Sequence, residues 1–245
     1  MFTAPHKPGI SLGNELAKII TDAGTYAPRS KQIAIGPSEM GVECTRKLAY
    51  KLLDWEKVNE GSSGNWAAQV GTAIHSHLAN IFEKINGYEV ETRVNIRGNL
   101  SGTIDLFDVE RGIVIDWKTT GATGLQTRKR EGASNQHIVQ CQLYAYGKKQ
   151  TGANVNQIAL IYLPTTGNLS DLYVDLRDYD ESVALEALNR VDNIYSLLTS
   201  IDVENNPAMW KLIPAVTDRL CNYCPYFQPF SADLSKACNG ETVAS

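Results

Sequence analysis

The stretch Leu100-Ser-Gly-Thr-Ile-Asp-Leu-Phe-Asp-Val109, turned at Arg111-Gly112 and continued by Ile113-Val-Ile-Asp-Trp-Lys118, decides the reading of this chain. Both halves are rich in β-branched and apolar residues around the Arg-Gly turn, so the segment predicts a β-hairpin. Side chains alternate faces along a strand, which sends Asp116 and Lys118 one way and Trp117 the other. Asp105 joins the first pair if its strand lies alongside. A carboxylate inside the apolar run Ile113-Val-Ile-Asp116 is costly to bury unless paired or bound to a metal. Two carboxylates and an amine so gathered can form a divalent-metal site. An internal Asp–Lys ion pair at a strand end is the simpler alternative.

Upstream, Asn65 to Ile85 predicts a long helix ended by Asn86-Gly87, with Gly71 and His75 one turn apart on one face. A missing side chain at Gly71 lets that face approach the sheet, and an imidazole there can add a nitrogen ligand to the carboxylates. Oxygen ligands suit Mg²⁺, and an added imidazole shifts the preference towards Mn²⁺. Strands are expected at Tyr88–Ile96, Leu100–Val109, Gly112–Lys118 and Ile158–Leu163, with an alternating segment Leu169–Leu176 after the turn Thr165–Asn168. Helices are expected at Ser11–Asp22, Ser38–Leu53, Ser134–Lys149 and Asp180–Ser200, and Cys44 would lie on the second of these. Between Thr119 and Ser134 a Gly-containing loop carries Arg128-Lys129-Arg130. These residues can hold a nucleic-acid backbone, or simply form a solvated charge run. On the helix after it, Gln140 and Tyr144 share a face at i, i+4, and so do Gln142 and Tyr146.

The pattern resembles the RecB-like branch of the PD-(D/E)XK nucleases. Gly71-Thr-Ala-Ile-His75 is similar to that branch's first motif, Gly102-x-x-Asp105 to its second, Asp116-x-Lys118 to its third and Gln140-x-x-x-Tyr144 to its Gln-x-x-x-Tyr signature, in the family order. Gln142-x-x-x-Tyr146 fits the last expression too. The resemblance implies an α/β fold: a restriction-endonuclease-like αβββαβ core with a mixed sheet flanked by helices. It implies that His75, Asp105, Asp116 and the Trp117 carbonyl bind Mg²⁺ or Mn²⁺, and that Lys118 orients or activates the attacking water, with Gln140 and Tyr144 beside it. DNA ends or single-stranded DNA would be the substrate of such an exonuclease.

The chain has five cysteines and no recognisable export signal, which favours metal or redox chemistry over structural disulfides. Cys141 reads as a small buried helix residue. The other four resemble the iron–sulfur variety of RecB-like nucleases, in which one Cys precedes the core and three follow it. Cys44-Thr-Arg-Lys-Leu-Ala-Tyr50 is similar to that family's Cys-Pro-Arg segment with Thr45 in place of proline, and the tail supplies Cys221-Asn-Tyr-Cys224-Pro225 and Cys238. The gap from Cys224 to Cys238 is longer than the family usually shows. Four thiolates suit a [4Fe–4S] cluster, and Zn²⁺ takes the same ligand set.

A chain of 245 residues supports one main core with appendages. The expected division is an N-terminal helical region to residue 60, a nuclease core over 61–205 and a cysteine-rich tail over 206–245. A net charge of −4 weighs against a passive, basic nucleic-acid coat but not against a nuclease whose bound cations restore positive potential. No apolar run reaches membrane-spanning length, and Lys7, Glu15 and Lys18 interrupt any signal-peptide core, so a cytoplasmic protein is expected, in the host cytoplasm if a phage encodes it. The alternatives are a DNA-binding or adaptor subunit of a DNA-processing or integration complex, and a sequence-specific endonuclease. A helicase, recombinase or integration-complex partner and an oligomer are compatible with all three.

Overall fold

Alternating apolar residues build five strands into one sheet, and the computed structural model describes residues 10–25, 35–59 and 66–241 around it. Strands β1 (Tyr88–Arg97), β2 (Leu100–Asp108) and β3 (Ile113–Thr120) run antiparallel in succession. Next to β3 lies β4 (Gln157–Pro164), parallel to it, and β5 (Tyr173–Asp178) closes the edge antiparallel to β4. A parallel neighbour cannot be reached by a tight turn. The chain makes that crossover through α5 (Ala122–Glu131) and α6 (Asn135–Lys149), between β3 and β4.

Three apolar clusters hold the layers together. Helix α4 (Trp66–Phe82) sets Ile74, Leu78 and Phe82, one turn apart, against Leu106, Ile115, Trp117 and Leu163. On the opposite face α6 and α7 (Glu181–Ser200) pack Val139, Leu143, Ala184 and Leu188 on Ile104, Phe107, Val114 and Leu160. The third cluster lies beyond the sheet. There Leu48, Ala49 and Tyr50 of α3 (Thr45–Leu52) meet Ile194 and Leu198 of α7 and Trp210, Ile213 and Tyr226 of the tail. The Tyr50 and Trp210 rings stack with centroids 4.1 Å apart. The remaining described α-helices are α1 (Ile10–Thr25) and α2 (Pro37–Met40). Among the described residues no helix is long and apolar enough to cross a membrane.

Three expected elements need correction. The helix expected over Ser38–Leu53 is two, because α2 stops at Gly41 and α3 starts after Cys44, whose extended backbone makes it the N-cap residue and not a helical one. The stretch Thr119–Ser134 is no loop. Gly121 precedes α5 and Gly132 ends it at φ +78°, so its glycines punctuate a helix formed by the intervening Leu125-Gln-Thr-Arg-Lys-Arg-Glu131. With α5 added to α6 in that crossover, the expected α/β core, a mixed sheet flanked by helices, is otherwise kept. Finally, Leu169–Asp171 is a single 3₁₀ turn, and only Tyr173–Asp178 pairs as a strand. Glu60-Gly-Ser-Ser-Gly64, whose composition predicts a loop, lies outside the described residues.

One irregularity positions the site. Strands β1 and β2 keep a constant register from Tyr88↔Asp108 to Asn95↔Ser101, yet Glu91 and Asp105, which face each other in that register, are absent from the ladder. Glu91 sits at φ +47°, a left-handed conformation uncommon for a residue with a Cβ. Across this step the faces exchange. Val90 and Leu106 belong to the cluster under α4, whereas Val94, Ile96 and Ile104 belong to the cluster under α6.

Candidate active site and cysteine centre

Strands β2 and β3 pair only from Leu106↔Ile115 to Asp108↔Ile113, and beyond that point the two strands open. Asp105 occupies the opening, where its Oδ2 accepts the Trp117 N–H at 2.8 Å in place of a ladder bond. Its Oδ1 lies 3.2 Å from His75 Nδ1 on α4. Gly71 permits that approach, because a Cβ there would already stand 3.2 Å from Thr119 Oγ1. The hydrogen bond from Asp105 raises the His75 pKa, against the opposing effect of burial. Trp117 turns its ring to α4 and stacks on Phe82, with centroids 5.8 Å apart.

Asp116 is buried, with a side-chain exposure of 3%, and Lys118 Nζ stands 2.7 Å from its Oδ2. That oxygen makes no aligned hydrogen bond, so the contact is one of charge with charge. Burial pushes the Asp116 carboxyl above the usual range, and the Lys118 ammonium opposes the shift. The ammonium donates to Gln140 Oε1 at 2.9 Å, and Gln140 Nε2 donates to the Tyr144 hydroxyl at 2.9 Å. Of the two frames, Gln140 and Tyr144 are the pair set beside Lys118. Gln142 turns away to accept from Asp180 N and donate to Asp178 O, both at 3.0 Å, and so joins α6 to the start of α7.

His75, Asp105, Trp117 and Lys118 line a cleft of about 1210 Å³, and the sequence reading missed two further residues there, Glu91 and His137. His137 Nδ1 is 2.8 Å from the Tyr162 hydroxyl, and burial with the nearby Lys118 and Arg128 charges lowers its pKa to about 3. Among the described residues, the one group of three whose ligand atoms all lie within 4.8 Å of one another is His75, Glu91 and Asp105. Asp116 stands outside that group, turned to Lys118. Only the left-handed φ at Glu91 brings it in, and no sequence signal marks such a residue. Of the basic triplet, Arg128 lines the cleft and donates to Gly132 O at 3.1 Å, closing the end of α5. Lys129 and Arg130 are exposed and do not line it, and Arg130 pairs with Glu131 at 2.6 Å.

Cys44, Cys221, Cys224 and Cys238 line one separate cavity of about 230 Å³. Beside it the guanidinium of Arg46, only 1% exposed, has no carboxylate within 4.0 Å among the described residues. It donates to Ile213 O at 3.0 Å, Glu241 O at 3.1 Å and Cys238 Sγ at 3.7 Å, and Gly240 N–H donates to the same sulfur at 3.4 Å. That sulfur thus accepts from two donors, one of them on a buried cationic side chain. Cys141, fully buried on α6, is not part of this group, and burial raises its thiol pKa well above the ordinary value.

The family model described as the PD-(D/E)XK nuclease superfamily matches residues 55–228. No curated protein sequence matches the chain. Among solved structures, an alkaline exonuclease (LHK-Exo) from Laribacter hongkongensis is similar with a TM-score of 0.50 at 10% identity, over 75% of this chain and 97% of that one. LHK-Exo in complex with dAMP gives a TM-score of 0.50 at 14% identity, over 74% and 95% of the two chains. A phage-related exonuclease from Haemophilus somnus 129PT gives 0.43 at 16% identity, over 64% and 81%. At these identities the likeness is one of fold.

Proposed function

Given that the chain belongs to the PD-(D/E)XK nuclease superfamily, we propose that it is a metal-dependent DNA exonuclease acting on DNA ends or single strands. One observation carries the reading: Lys118 Nζ is held between Asp116 Oδ2 at 2.7 Å and Gln140 Oε1 at 2.9 Å beside an open cleft. An amine so restrained faces the cleft with its charge and direction set, as a group that orients an attacking water must. The name of the Laribacter protein favours cutting from ends.

Asp105, Asp116, His75 and the Trp117 carbonyl would hold Mg²⁺ or Mn²⁺. The residues fit a cation, since Asp116 Oδ2 is buried without a hydrogen bond and Asp105 lies next to it across the opened strands. When bound, the metal polarises the phosphate and lowers the pKa of water. Gln140 and Tyr144 keep Lys118 in place, Arg128 supplies positive charge to the DNA backbone, and neutral His137 adds no competing charge.

Cys44, Cys221, Cys224 and Cys238 would hold a [4Fe–4S] cluster. Zn²⁺ is the alternative occupant of the same four thiolates. One feature supports Cys238 as the fourth ligand: Arg46 and Gly240 N–H both donate to its Sγ. The cluster would tie α3 to the tail, which has little regular structure of its own.

The test is degradation of end-labelled single- and double-stranded DNA with Mg²⁺ or Mn²⁺, beside closed circular DNA. Progressive shortening in wild type, lost in Lys118→Ala and absent on the circle, is expected. DNA binding without metal-dependent cleavage would overturn the proposal, and a discrete cut in the circle would replace it with an endonuclease.

A further inference from the structure

We propose that Glu91 is a metal ligand, joining His75 and Asp105 at a cation position in the cleft. The inference deepens the nuclease reading and rests on it for the cleft's purpose. Three different elements, α4, β1 and β2, deliver one ligand atom each to within 4.8 Å of the others. An imidazole with two carboxylates is a donor set that Mn²⁺ accepts, and Mg²⁺ less readily.

The placement of Glu91 follows from the backbone. At φ +47° it leaves the β1 ladder opposite Asp105, the residue that also leaves the β2 ladder, so both residues depart from regular alternation at one step. In regular alternation, Glu91 would have stayed a ladder residue with its neighbours. Asp105 has its two oxygens committed to different sides, Oδ1 towards His75 and Oδ2 towards the Trp117 N–H. On that second side lies the buried Asp116, whose Oδ2 faces the Lys118 ammonium at 2.7 Å. Glu91 is exposed on the cleft wall, where an ion can exchange with solvent and substrate phosphate.

The experiment is Mn²⁺ binding to the full chain without DNA, followed by the electron paramagnetic resonance signal of free Mn²⁺ and by calorimetry. Wild type, Glu91→Gln and Glu110→Gln are compared, the last neutralising an exposed carboxylate on the hairpin turn. Thermal denaturation of each confirms folding. Loss of outer partners of metal ligands commonly weakens binding by roughly 10–100-fold, so loss of a direct ligand should cost at least about tenfold. Weakening by that amount in Glu91→Gln, with Glu110→Gln unchanged, is the expected result. Equal affinity in wild type and Glu91→Gln overturns the proposal, as does an equal loss in both variants, or no Mn²⁺ uptake by wild type. The nuclease reading is judged separately by Lys118-dependent cleavage. A chain that loses Mn²⁺ in Glu91→Gln but never cuts DNA would retain this site and lose that reading.

Discussion

Gly102→Ala should damage both stability and catalysis, through one ring. A Cβ built at Gly102 would lie 2.4 Å from Tyr144 Cε1, 3.2 Å from Cδ1 and 3.1 Å from Pro37 Cγ. Carbon atoms pack best at about 3.5–4.0 Å, so the Tyr144 ring must retreat by roughly 1 Å. It has little room, being 5% exposed and held at its hydroxyl by Gln140. Overpacking of this kind costs about 1–3 kcal/mol, or roughly 2–12 °C in Tm for a chain of this size. The ring's retreat also pulls on Gln140, whose Oε1 holds Lys118 at 2.9 Å. A misplacement of about 1 Å at a reacting group can lower the rate roughly 100-fold. Urea unfolding and the end-labelled DNA assay read the two effects, and Gly102→Ala/Tyr144→Ala tests their origin. If the clash is the cause, the two stability losses sum to more than the double variant's. Gly102→Ala within 0.5 kcal/mol of wild type, with full activity, would refute the reasoning.

The buried His137 predicts acid sensitivity: it is neutral in the fold with a pKa near 3 against 6.5 unfolded, so unfolding takes up a proton as pH falls. Its contribution is complete above pH 6.5, decreases by at most about 2 kcal/mol at pH 5, and continues to fall towards pH 3; His137→Gln should flatten the difference between urea curves at pH 7.5 and 5. Gly112→Ala should cost at least about 2 kcal/mol in urea unfolding, because φ is +68° and a Cβ would lie 2.5 Å from Asn154 O, a backbone atom that cannot swing aside. The bidentate Arg97–Asp192 pair has both bonds at 2.7 Å but side chains 47% and 53% exposed, so a double-mutant cycle should give only about 0.2–1 kcal/mol and nearly nothing in 1 M salt.

Much of the sheet was legible because its signals are local. The turn at Arg111-Gly112 and the alternation on either side mark the hairpin within a dozen or so residues, and β4 announces itself by Ile158-Ala-Leu-Ile-Tyr-Leu163. The helix α5 was hidden because glycines at both its ends look like those of a loop, and only a cap's left-handed φ at Gly132 distinguishes the two. Glu91 was missed for a related reason. Alternation assumes an unbroken strand, and a glutamate carries no mark that it will adopt φ +47°. Gln140 could not be separated from Gln142 by spacing, since both lie on one helix and only the third dimension shows which reaches Lys118. Arg46 stood in a quoted motif, but its burial depends on Ile213, Cys238 and Glu241, all far along the chain.

That last contact has a consequence for how the molecule comes into being. Arg46 and Cys238 are 192 residues apart, and at about 5–20 residues per second a ribosome takes roughly 10–40 s to pass from one to the other. During that interval the sheet and its covering helices can assemble, whereas the apolar side of α3, with Leu48, Ala49 and Tyr50, lacks the tail residues Trp210, Ile213 and Tyr226 that complete its cluster. The nascent chain must therefore carry a sticky, unfinished end for much of its synthesis, and α3 is the place where chaperones and proteases would meet it first.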